Sequence, residues 1–316
     1  MKHIVVIGGG HGLSMIVRGL KHLKNIKLSA IVTVADDGGS TGRLRAQYQI
    51  PAMGDIRNVM CAMAESETLL STLMNHRFAG GEEDVGGHNL GNLILTALTQ
   101  NCGSFMEAVQ SFSKVMKVKG DIIPSSTEVI TLFATMEDGT IVRGESNIPS
   151  FDNRISRVFY QSDVQASEQA LDAIRHADLI IYGIGSLYTS IMPNLIISKI
   201  REELSLSKAK KIYFCNAMTQ PGETDGYMLE DHVQAIIDHT GPYAVDIVIH
   251  HNNEIRDDIL MKYHDMGASE VGIRDVSHAY EIWNRDILAF DNDLIRHDGE
   301  KIKRVMEELV KEDKNA

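Results

Sequence analysis

The sequence predicts an α/β fold: Rossmann-like, a mainly parallel sheet with helices on both faces and an antiparallel hairpin excursion at about 118–160. Three observations carry this expectation. Apolar β-type runs alternate with stretches of helical spacing, the signature of βαβ units. Several of those runs end in glycine-rich turns, as strands do at the ligand edge of an open parallel sheet. The chain has 316 residues, 43% hydrophobic and 23% charged, enough apolar material for one large core. No repeat or low-complexity linker divides it, so one α/β domain over 1–316 is expected.

Each element follows from its own pattern. HIVVI (3–7) is the first strand, and helical spacing follows over 13–23, with Leu13, Ile16, Val17, Leu20 and Leu23 on one face. LSAIVTVA (28–35) is the second strand. Residues 56–73 read as helix in two pieces, 90–98 opens another, and Phe105, Val109, Phe112 and Met116 mark one more over 105–116. VITLFATMEDGTIVRGESNI (129–148) reads as two strands joined at Asp138-Gly139, a strong hairpin signal. Alternation resumes with the strand and glycine turn DLIIYGIG (178–185), and Pro193 is placed to begin a helix reaching 204. KIYFCN (211–216), VDIVIH (245–250) and ILAF (287–290) are later strands. An amphipathic helix over 301–311 follows, and 307–314 mixes both charge signs as a solvated helix end does.

Bulk properties exclude some functions. A net charge of −12 argues against a general nucleic-acid binder, which needs a basic face, but leaves room for one phosphorylated ligand. Cys61, Cys102 and Cys215 lie far apart with no CxxC pair, which argues for a reducing compartment and against a zinc site. The first strand begins almost at the initial methionine and no apolar run approaches a membrane span. The expectation is a cytoplasmic protein without membrane insertion.

The chemistry gathers in four loops: GGGHGLS (8–14), DDGGSTGRLR (36–45), GIGSLYTS (183–190) and NAMTQPGET (216–224). In a parallel sheet all four fall on the carboxyl edge, where glycines let backbone approach a ligand and helix N-termini offer N–H groups to an anion. Taken singly they are weaker. GGGHGLS closes neither register of GxGxxG and carries no P-loop lysine, and His11 is read equally as a phosphate contact or a helix cap. Asp36 and Asp37 suit a ribose hydroxyl, a Mg²⁺ bridging phosphates, activation of an attacking hydroxyl, or a plain Asx-turn. Of Arg43 and Arg45, one need face the site and the other is expected at the surface.

Gly38-Gly39-Ser40-Thr41-Gly42 matches GxSxG, the nucleophile elbow of hydrolases. The match is discounted. Two aspartates separate the serine from its strand, and Pro51 leaves little room for a helix. Asp55, Arg57 and Asn58 sit at one predicted helix start, and His88, Asn89 and Asn92 near another; if buried, such groups bind a ligand or cap loops. His250-His251 follows a strand without partners at metal spacing and is expected on a surface or loop.

Together these segments resemble the YvcK/CofD-like family. GGGHGLS, TVADDGGSTGRLR, GDIRNVM, HNLGNLIL, GSLYTSIMPNL and MTQPGETDGY stand in family order over nearly the whole chain. The resemblance implies a Rossmann-like α/β domain and one of two functions. The CofD branch transfers a phospholactyl-type group from a guanosine diphosphate carrier to a deazaflavin alcohol, with Mg²⁺. The YvcK branch binds a UDP-sugar such as UDP-N-acetylglucosamine and is linked to cell shape and wall synthesis on gluconeogenic carbon. TVADDGGSTG, the GSLYTS run, KYHDMGA (262–268) and LIRHDGEKI (294–302) are similar to the YvcK branch.

That likeness implies a nucleotide site from Gly8, Gly9, Gly10, His11, Gly12, Asp36, Asp37, Gly38, Gly39, Ser40, Arg43, Asn58, His88, Asn92, Gly183, Gly185, Ser186, Tyr188, Asn216 and Thr219. Tyr263 and Arg296 are added at positions that match sugar-nucleotide contacts. His11 stands where the family usually has threonine, Ile184 where it has proline, and Ala52-Met53 replaces a more proline-rich approach to Gly54. A non-catalytic regulator is favoured over a transferase, since aromatic residues are scarce and the lone Trp283 lies outside the motif loops. The regulator needs no cofactor, with Mg²⁺ on Asp36 and Asp37 as the candidate metal. For a transferase, one of those aspartates assists the attacking hydroxyl. A UDP-sugar or related nucleotide is the expected partner; a homo-oligomer is compatible, and its regulatory protein partners are unspecified.

Overall fold

In the computed structural model, residues 1–65, 69–81 and 84–312 are described. Seven strands form the central sheet: β1 (Lys2–Gly8), β2 (Ile26–Val32), β3 (Asp121–Pro124), β7 (Leu179–Tyr182), β8 (Lys210–Phe214), β9 (Ile247–His251) and β10 (Glu281–Arg285). Their order is β10-β9-β8-β7-β1-β2-β3, every neighbouring pair parallel. Central strands of a parallel sheet are covered on both faces, so they are apolar at every position and not at alternate ones. Ile4–Ile7 and Leu179–Tyr182 are fully buried, as that rule requires.

The crossovers supply the covering helices. The first half contributes α1 (Gly10–Leu20), α2 (Gly39–Tyr48), α3 (Gly54–Met63), α4 (Leu69–Asn75), α5 (Leu90–Cys102) and α6 (Phe105–Val115). The second contributes α7 (Glu168–Arg175), α8 (Met192–Leu195), α9 (Ser198–Leu206), α10 (Leu229–Thr240), α11 (Asp257–Asp265) and α12 (Gly299–Glu312). Leu13, Ile16, Val17 and Leu20 bury the inner face of α1 as their spacing predicts. The expected charged end at 307–314 lies in α12 up to residue 312; residues 313 and 314 are outside the described residues.

Between β3 and α7 the chain makes a three-stranded antiparallel sheet, β4 (Phe133–Met136), β5 (Ile141–Arg143) and β6 (Ile155–Phe159), in the order β5-β4-β6. The Asp138-Gly139 turn joins β4 to β5, with Gly139 N donating to the Met136 carbonyl and Asp138 Oδ1 accepting from Thr140 N. The excursion is narrower than 118–160, because β3 within that span belongs to the central sheet as its edge.

Four expectations need correction. ILAF is not in the central sheet: it is β11 (Leu288–Asp291), paired antiparallel with β12 (Leu294–His297) in a separate hairpin. The seventh central strand is β10, EIWNR, whose charged, half-exposed pattern is that of an edge and hides it from an apolar search. The helix expected from Pro193 to 204 is broken into α8 and α9 at an extended Ile197. The segment before Pro51 has room for α2, ten residues long, which ends at Gln49 in the left-handed region. That helix lacks an apolar stripe because the side chains it buries include Ser40, Thr41 and Arg45.

Candidate functional site

Successive strands run outward in one direction from β1 and in the other from β7, so the sheet reverses its order between them. Open α/β sheets bind ligands in the crevice outside the carboxyl ends of such a switch point. Here that crevice has a volume of ≈ 410 Å³. One wall is Gly9, Gly10, His11 and Gly12; the facing wall is Ile184, Gly185, Ser186 and Ser190. Asn216, Ala217, Met218 and Gln220 come from the loop after β8, Tyr263 from α11, and Ile295 and His297 from β12.

The glycine wall is the end of β1 running into α1. Gly8 closes the strand, and its carbonyl accepts from Thr33 N and Asn194 Nδ2. A Cβ on Gly12 would stand 1.9 Å from the Ile184 carbonyl, and one on Gly9 2.4 Å from Asp55 Oδ2. These two positions are glycine because other groups touch the backbone there. The first turn of α1 contains no acidic residue and its N-cap, Gly9, has no side chain, but the Asp55 carboxylate reaches in from α3 and accepts from the Gly10 main-chain N–H. The other N–H groups of that turn, at the crevice wall, suit an anion. His11 is exposed in this first turn and faces the crevice.

The opposite wall is braced from below. Gly183 N donates to Ile7 O, holding the β7 turn against β1. Asn216 Nδ2 donates to Gly185 O (2.9 Å) and its Oδ1 accepts from Gly185 N (3.4 Å). Ser186 Oγ donates to Gln220 Oε1 at 2.7 Å. Beneath them, buried Glu223 accepts from Tyr188 N, Thr189 Oγ1 and Gln220 Nε2. Burial raises its pKa, and the donors around its carboxylate work against that rise. Glu223 is a site residue that its own loop does not single out, since Asp225 stands two residues on and its partners Tyr188 and Thr189 lie in another loop. Tyr188 turns inward, its hydroxyl 2.8 Å from that of Tyr227, and Thr219 Oγ1 accepts from Ser269 N, so neither is on the wall.

On the β2 side the aspartate pair diverges. Asp37 accepts from the main-chain N–H groups of Glu145 (3.2 Å) and Ser146 (3.0 Å), capping the turn that follows β5. Asp36 Oδ1 accepts from Gly38 N at 2.9 Å, an Asx-turn at the start of α2; Asp37 acts on Asp36 by like charge, and Asp36 in turn acts on Asp55 of α3. Burial, then the Asp36 charge, pushes Asp55 up to about 7. Glu145 is pushed up to about 8, first by burial and next by Asp36 and Asp55. Three acids thus gather beside Gly9. Asp37 acts on Asp36 as the sequence pairing expects, and the structure adds Asp55, which from sequence alone reads as an ordinary acid in a helix's first turn.

The remaining candidates form a buried lock beside this cluster. Ser40 Oγ accepts from Asn89 N (3.3 Å) and Asn92 Nδ2 (3.2 Å), which leaves its proton for His88 Nδ1 at 3.0 Å. Arg57 donates to Asn92 Oδ1 and to Asn58 Oδ1. Arg43 donates to the Gly86 carbonyl. Arg45, expected at the surface, is buried and donates to the carbonyls of Ala35, Asp36 and Ile130, holding the turn that presents Asp36. Gly38 and Gly39 begin α2 and stand outside the crevice wall. Ser40 is no nucleophile elbow: it is buried within a helix, eight residues beyond the last residue of β2, with its oxygen fully engaged.

The β9 side differs. His250 and His251, expected on a surface or loop, are buried with their rings stacked at 4.6 Å. His250 Nε2 bonds the Val271 carbonyl at 2.8 Å. Burial and the neighbouring His250 lower His251 to about 4; burial and His251 lower His297 likewise to about 4. These imidazoles are neutral at pH 7. Arg296 is exposed and lies outside the wall, since alternation on β12 gives the inner face to Ile295 and His297. Tyr263 is on the wall, and its hydroxyl accepts from Ile295 N at 2.9 Å.

A larger cavity, ≈ 680 Å³, opens at the amino end of β2 and β3 between α6 and α7. Lys27, Lys114, Asp121 and Glu168 line it with mixed charge, and no glycine loop or helix N-terminus of the motif set reaches it. The switch-point crevice is the candidate site. Among the described residues no three His, Cys, Asp or Glu side chains stand together in a metal-binding arrangement. Two carboxylates on Asp36 and Asp55 are nevertheless a fitting donor set for Mg²⁺, which takes one or two carboxylates and completes its shell with water and phosphate oxygens.

Comparison with known proteins agrees with this fold. The family model described as 2-phospho-L-lactate transferase CofD matches residues 4–288. A gluconeogenesis factor of Bacillus subtilis is 46% identical over 314 residues, spanning 98% of each chain. A gluconeogenesis factor of Listeria monocytogenes is 41% identical over 307 residues, 95% of this chain and 92% of that one. The crystal structure of a Bacillus halodurans protein, 44% identical, superposes with a TM-score of 0.92 over 96% of this chain and 99% of the other.

Proposed function

The chain belongs to the CofD family, and from that premise we propose that it binds a UDP-sugar of the UDP-N-acetylglucosamine kind and acts as a regulator of cell morphogenesis and wall synthesis during gluconeogenic growth. One observation carries the binding half of this reading. The switch-point crevice pairs the glycine N-terminus of α1, whose outer N–H groups suit a diphosphate, with a wall of Tyr263, Ile295 and His297, suited to an uncharged group. Gly9–Gly12 and Gly185-Ser186 would hold the diphosphate, Asn216 would fix the loop against it, and Tyr263 and Arg296 would meet the outer end of the ligand. The gluconeogenesis-factor name of the relatives supports the regulatory half.

Mg²⁺, if the ligand brings it, would be held by Asp36 and Asp55, with Asp37 keeping the β5 turn in place. The metal would supply charge neutralisation between the phosphates and the acids. The residues themselves do the rest: α1 amides bind, Asn216 orients, and the buried Glu223 keeps the two loops at a fixed spacing.

A second reading is favoured by the Asp36–Asp55 pair and the description of the family model: a transferase that moves a phospholactyl-type group from a GDP-linked donor to a deazaflavin alcohol. Asp36 or Asp55 would then take the proton of the attacking hydroxyl. Against it, ≈ 410 Å³ suits a single nucleotide-sized molecule, and Trp283 lies on β10 under the Arg285 guanidinium, where it offers no slot for a deazaflavin. Calorimetric titration with UDP-N-acetylglucosamine, UDP-glucose, GDP and NAD, each with and without Mg²⁺, tests both readings. Tight binding of a UDP-sugar recovered unchanged supports the regulator. Preference for GDP moves the assignment to the transferase.

A further inference from the structure

Among the described residues, the crevice wall carries no lysine and no arginine. A diphosphate brings negative charge, and charge leaving water needs donors and a cation. The loops after β7 and β8 offer only hydroxyls, amides and backbone there, and most of these are engaged: Ser186 with Gln220, Asn216 with Gly185. Two wall residues carry an imidazole. Burial lowers His297 to about 4, so at pH 7 it lends no charge. His11 is different: it is exposed, and its ring makes no hydrogen bond or ion pair with the described residues.

The position of His11 is informative. A helix N-terminus repels positive charge and attracts negative, so α1 itself has no use for a cation-forming side chain in its first turn. An anion that shares the turn does. With the Gly10 N–H given to Asp55, the N–H groups of His11 and Gly12 remain at the wall, and the His11 ring stands beside its own N–H. One phosphate group can take backbone and ring together. Imidazole is also the side chain whose charge changes within the physiological pH range, so pH sets the charge it lends.

Few other charged or titratable groups face this turn. Tyr263 and His297 come from α11 and β12, and the loops after β7 and β8 bring none to the wall. From α3 come Asp55, with Asp36 and Glu145 beside it, and Arg57, which is tied to Asn92 and Asn58. On α12, packed against α1 at Gly19, Asp298 accepts from Glu300 N and Lys301 N, and Glu300 pairs with Lys303. Arg18 lies at the other end of α1. The three acids act in the same direction as His11, since rising pH charges them and repels an anion. They are the competing source of any pH dependence.

We propose that His11 supplies the positive charge that the diphosphate meets in this crevice, so that the chain takes up its ligand together with a proton from solvent and holds it more tightly as pH falls. This rests on the nucleotide-sugar reading above and deepens it with a mode of regulation.

Calorimetric titration of the full chain with UDP-N-acetylglucosamine at pH 6, 7 and 8, without Mg²⁺, tests it; the diphosphate of that ligand keeps its charge throughout. The unaltered chain is expected to bind about tenfold more tightly at pH 6 than at pH 8. At pH 7, titration in two buffers of different ionisation enthalpy should show net proton uptake. His11→Gln keeps an N–H donor without the charge, and should shrink the pH dependence to about twofold, the share left to the acids. His11→Lys should bind at pH 8 about as tightly as the unaltered chain at pH 6. Asp55→Asn should keep most of the pH dependence. Binding without pH dependence in the unaltered chain, a dependence unchanged in His11→Gln, or one abolished in Asp55→Asn overturns the proposal and leaves nucleotide binding intact. If the unaltered chain binds UDP-N-acetylglucosamine at no pH, the nucleotide-sugar reading falls and this one with it.

Discussion

The two sides of the crevice solve opposite problems with the same means, burial. On the β2 side, Asp36, Asp55 and Glu145 crowd together and burial lifts the carboxyls toward neutrality. On the β9 side, His251 and His297 crowd together and burial drives the imidazoles down to neutrality. The acid side is strained by like charge, which the proposed Mg²⁺ would relieve. The imidazole side is already neutral and lacks only hydrogen-bond partners. One sheet edge thus carries a cluster of acids beside the glycine turn and a cluster of imidazoles beyond it, the division on which the proposed nucleotide-sugar reading rests.

The strip of backbone shared by both sides gives the largest expected effect. Gly12→Ala drives a Cβ into the Ile184 carbonyl, and two main chains must part; a loss of about 3 kcal/mol in unfolding free energy is expected by denaturant titration, with loss of ligand binding. If that variant is as stable as the parent, the crevice walls are not packed as described.

Next comes the acid side. Asp36→Asn with Asp55→Asn removes the repulsion, so the metal-free protein should gain about 2 kcal/mol at pH 8 and lose its Mg²⁺-induced rise in thermal midpoint. Asp37→Asn provides the contrast. It should cost about 1 kcal/mol through one weakened cap while the Mg²⁺ response persists. A Mg²⁺ response lost in Asp37→Asn and kept in the double variant would reverse the assignment of the pair.

The pH profile tests both sides at once. Raised carboxyls hold protons in the fold that the unfolded chain releases, so their contribution is lost as pH rises through about 7 for Asp55 and about 8 for Glu145. Lowered imidazoles act in reverse: the unfolded chain takes protons first, so stability is lost as pH falls from 6.5 toward 4. The two oppose each other below 6.5. Between 6.5 and 8 only the acids act, and without Mg²⁺ the thermal midpoint should fall across that window. Mg²⁺ should flatten the fall, and Asp55→Asn should do so without metal. A midpoint that rises across the window would contradict the acid cluster.

The smallest effect is expected from His297→Gln at pH 5, where removing a depressed imidazole should raise the thermal midpoint by a degree or two relative to the parent. No change there would place the low-pH loss on His251 and leave His297 with its place on the wall alone.

How much of this was legible in the sequence depended on whether a residue's job was local. The glycines of 8–12 and 183–185 announced themselves because a turn off a strand is a local event, and β1, β2, β7 and β8 followed from unbroken apolar runs. Helix α2 was missed because it buries Ser40, Thr41 and Arg45, so its inner face carries no apolar stripe to detect. Strand β10 was missed for the converse reason, an edge position that tolerates Glu281 and Arg285. Asp55 and Glu223 owe their importance to groups 19 and 35 residues away, Asp36 and Tyr188 respectively, and nothing near them in the chain records that. The His250-His251 pair looked exposed because strand ends usually are; only the loop carrying Val271 and the C-terminal hairpin cover it.

Arg285, whose guanidinium lies 4.7 Å above the Trp283 ring, also grips Glu308 of α12 with two hydrogen bonds. Trp283 is the sole tryptophan of the chain, and it sits on the strand that leads directly into the β11–β12 hairpin. Any change in how α12 sits on the sheet would reach this arginine through Glu308 and alter the quenching of the indole beneath it. The chain therefore carries its own lamp at the seam between β10 and α12, and an unlabelled sample in a fluorimeter is enough to watch that seam.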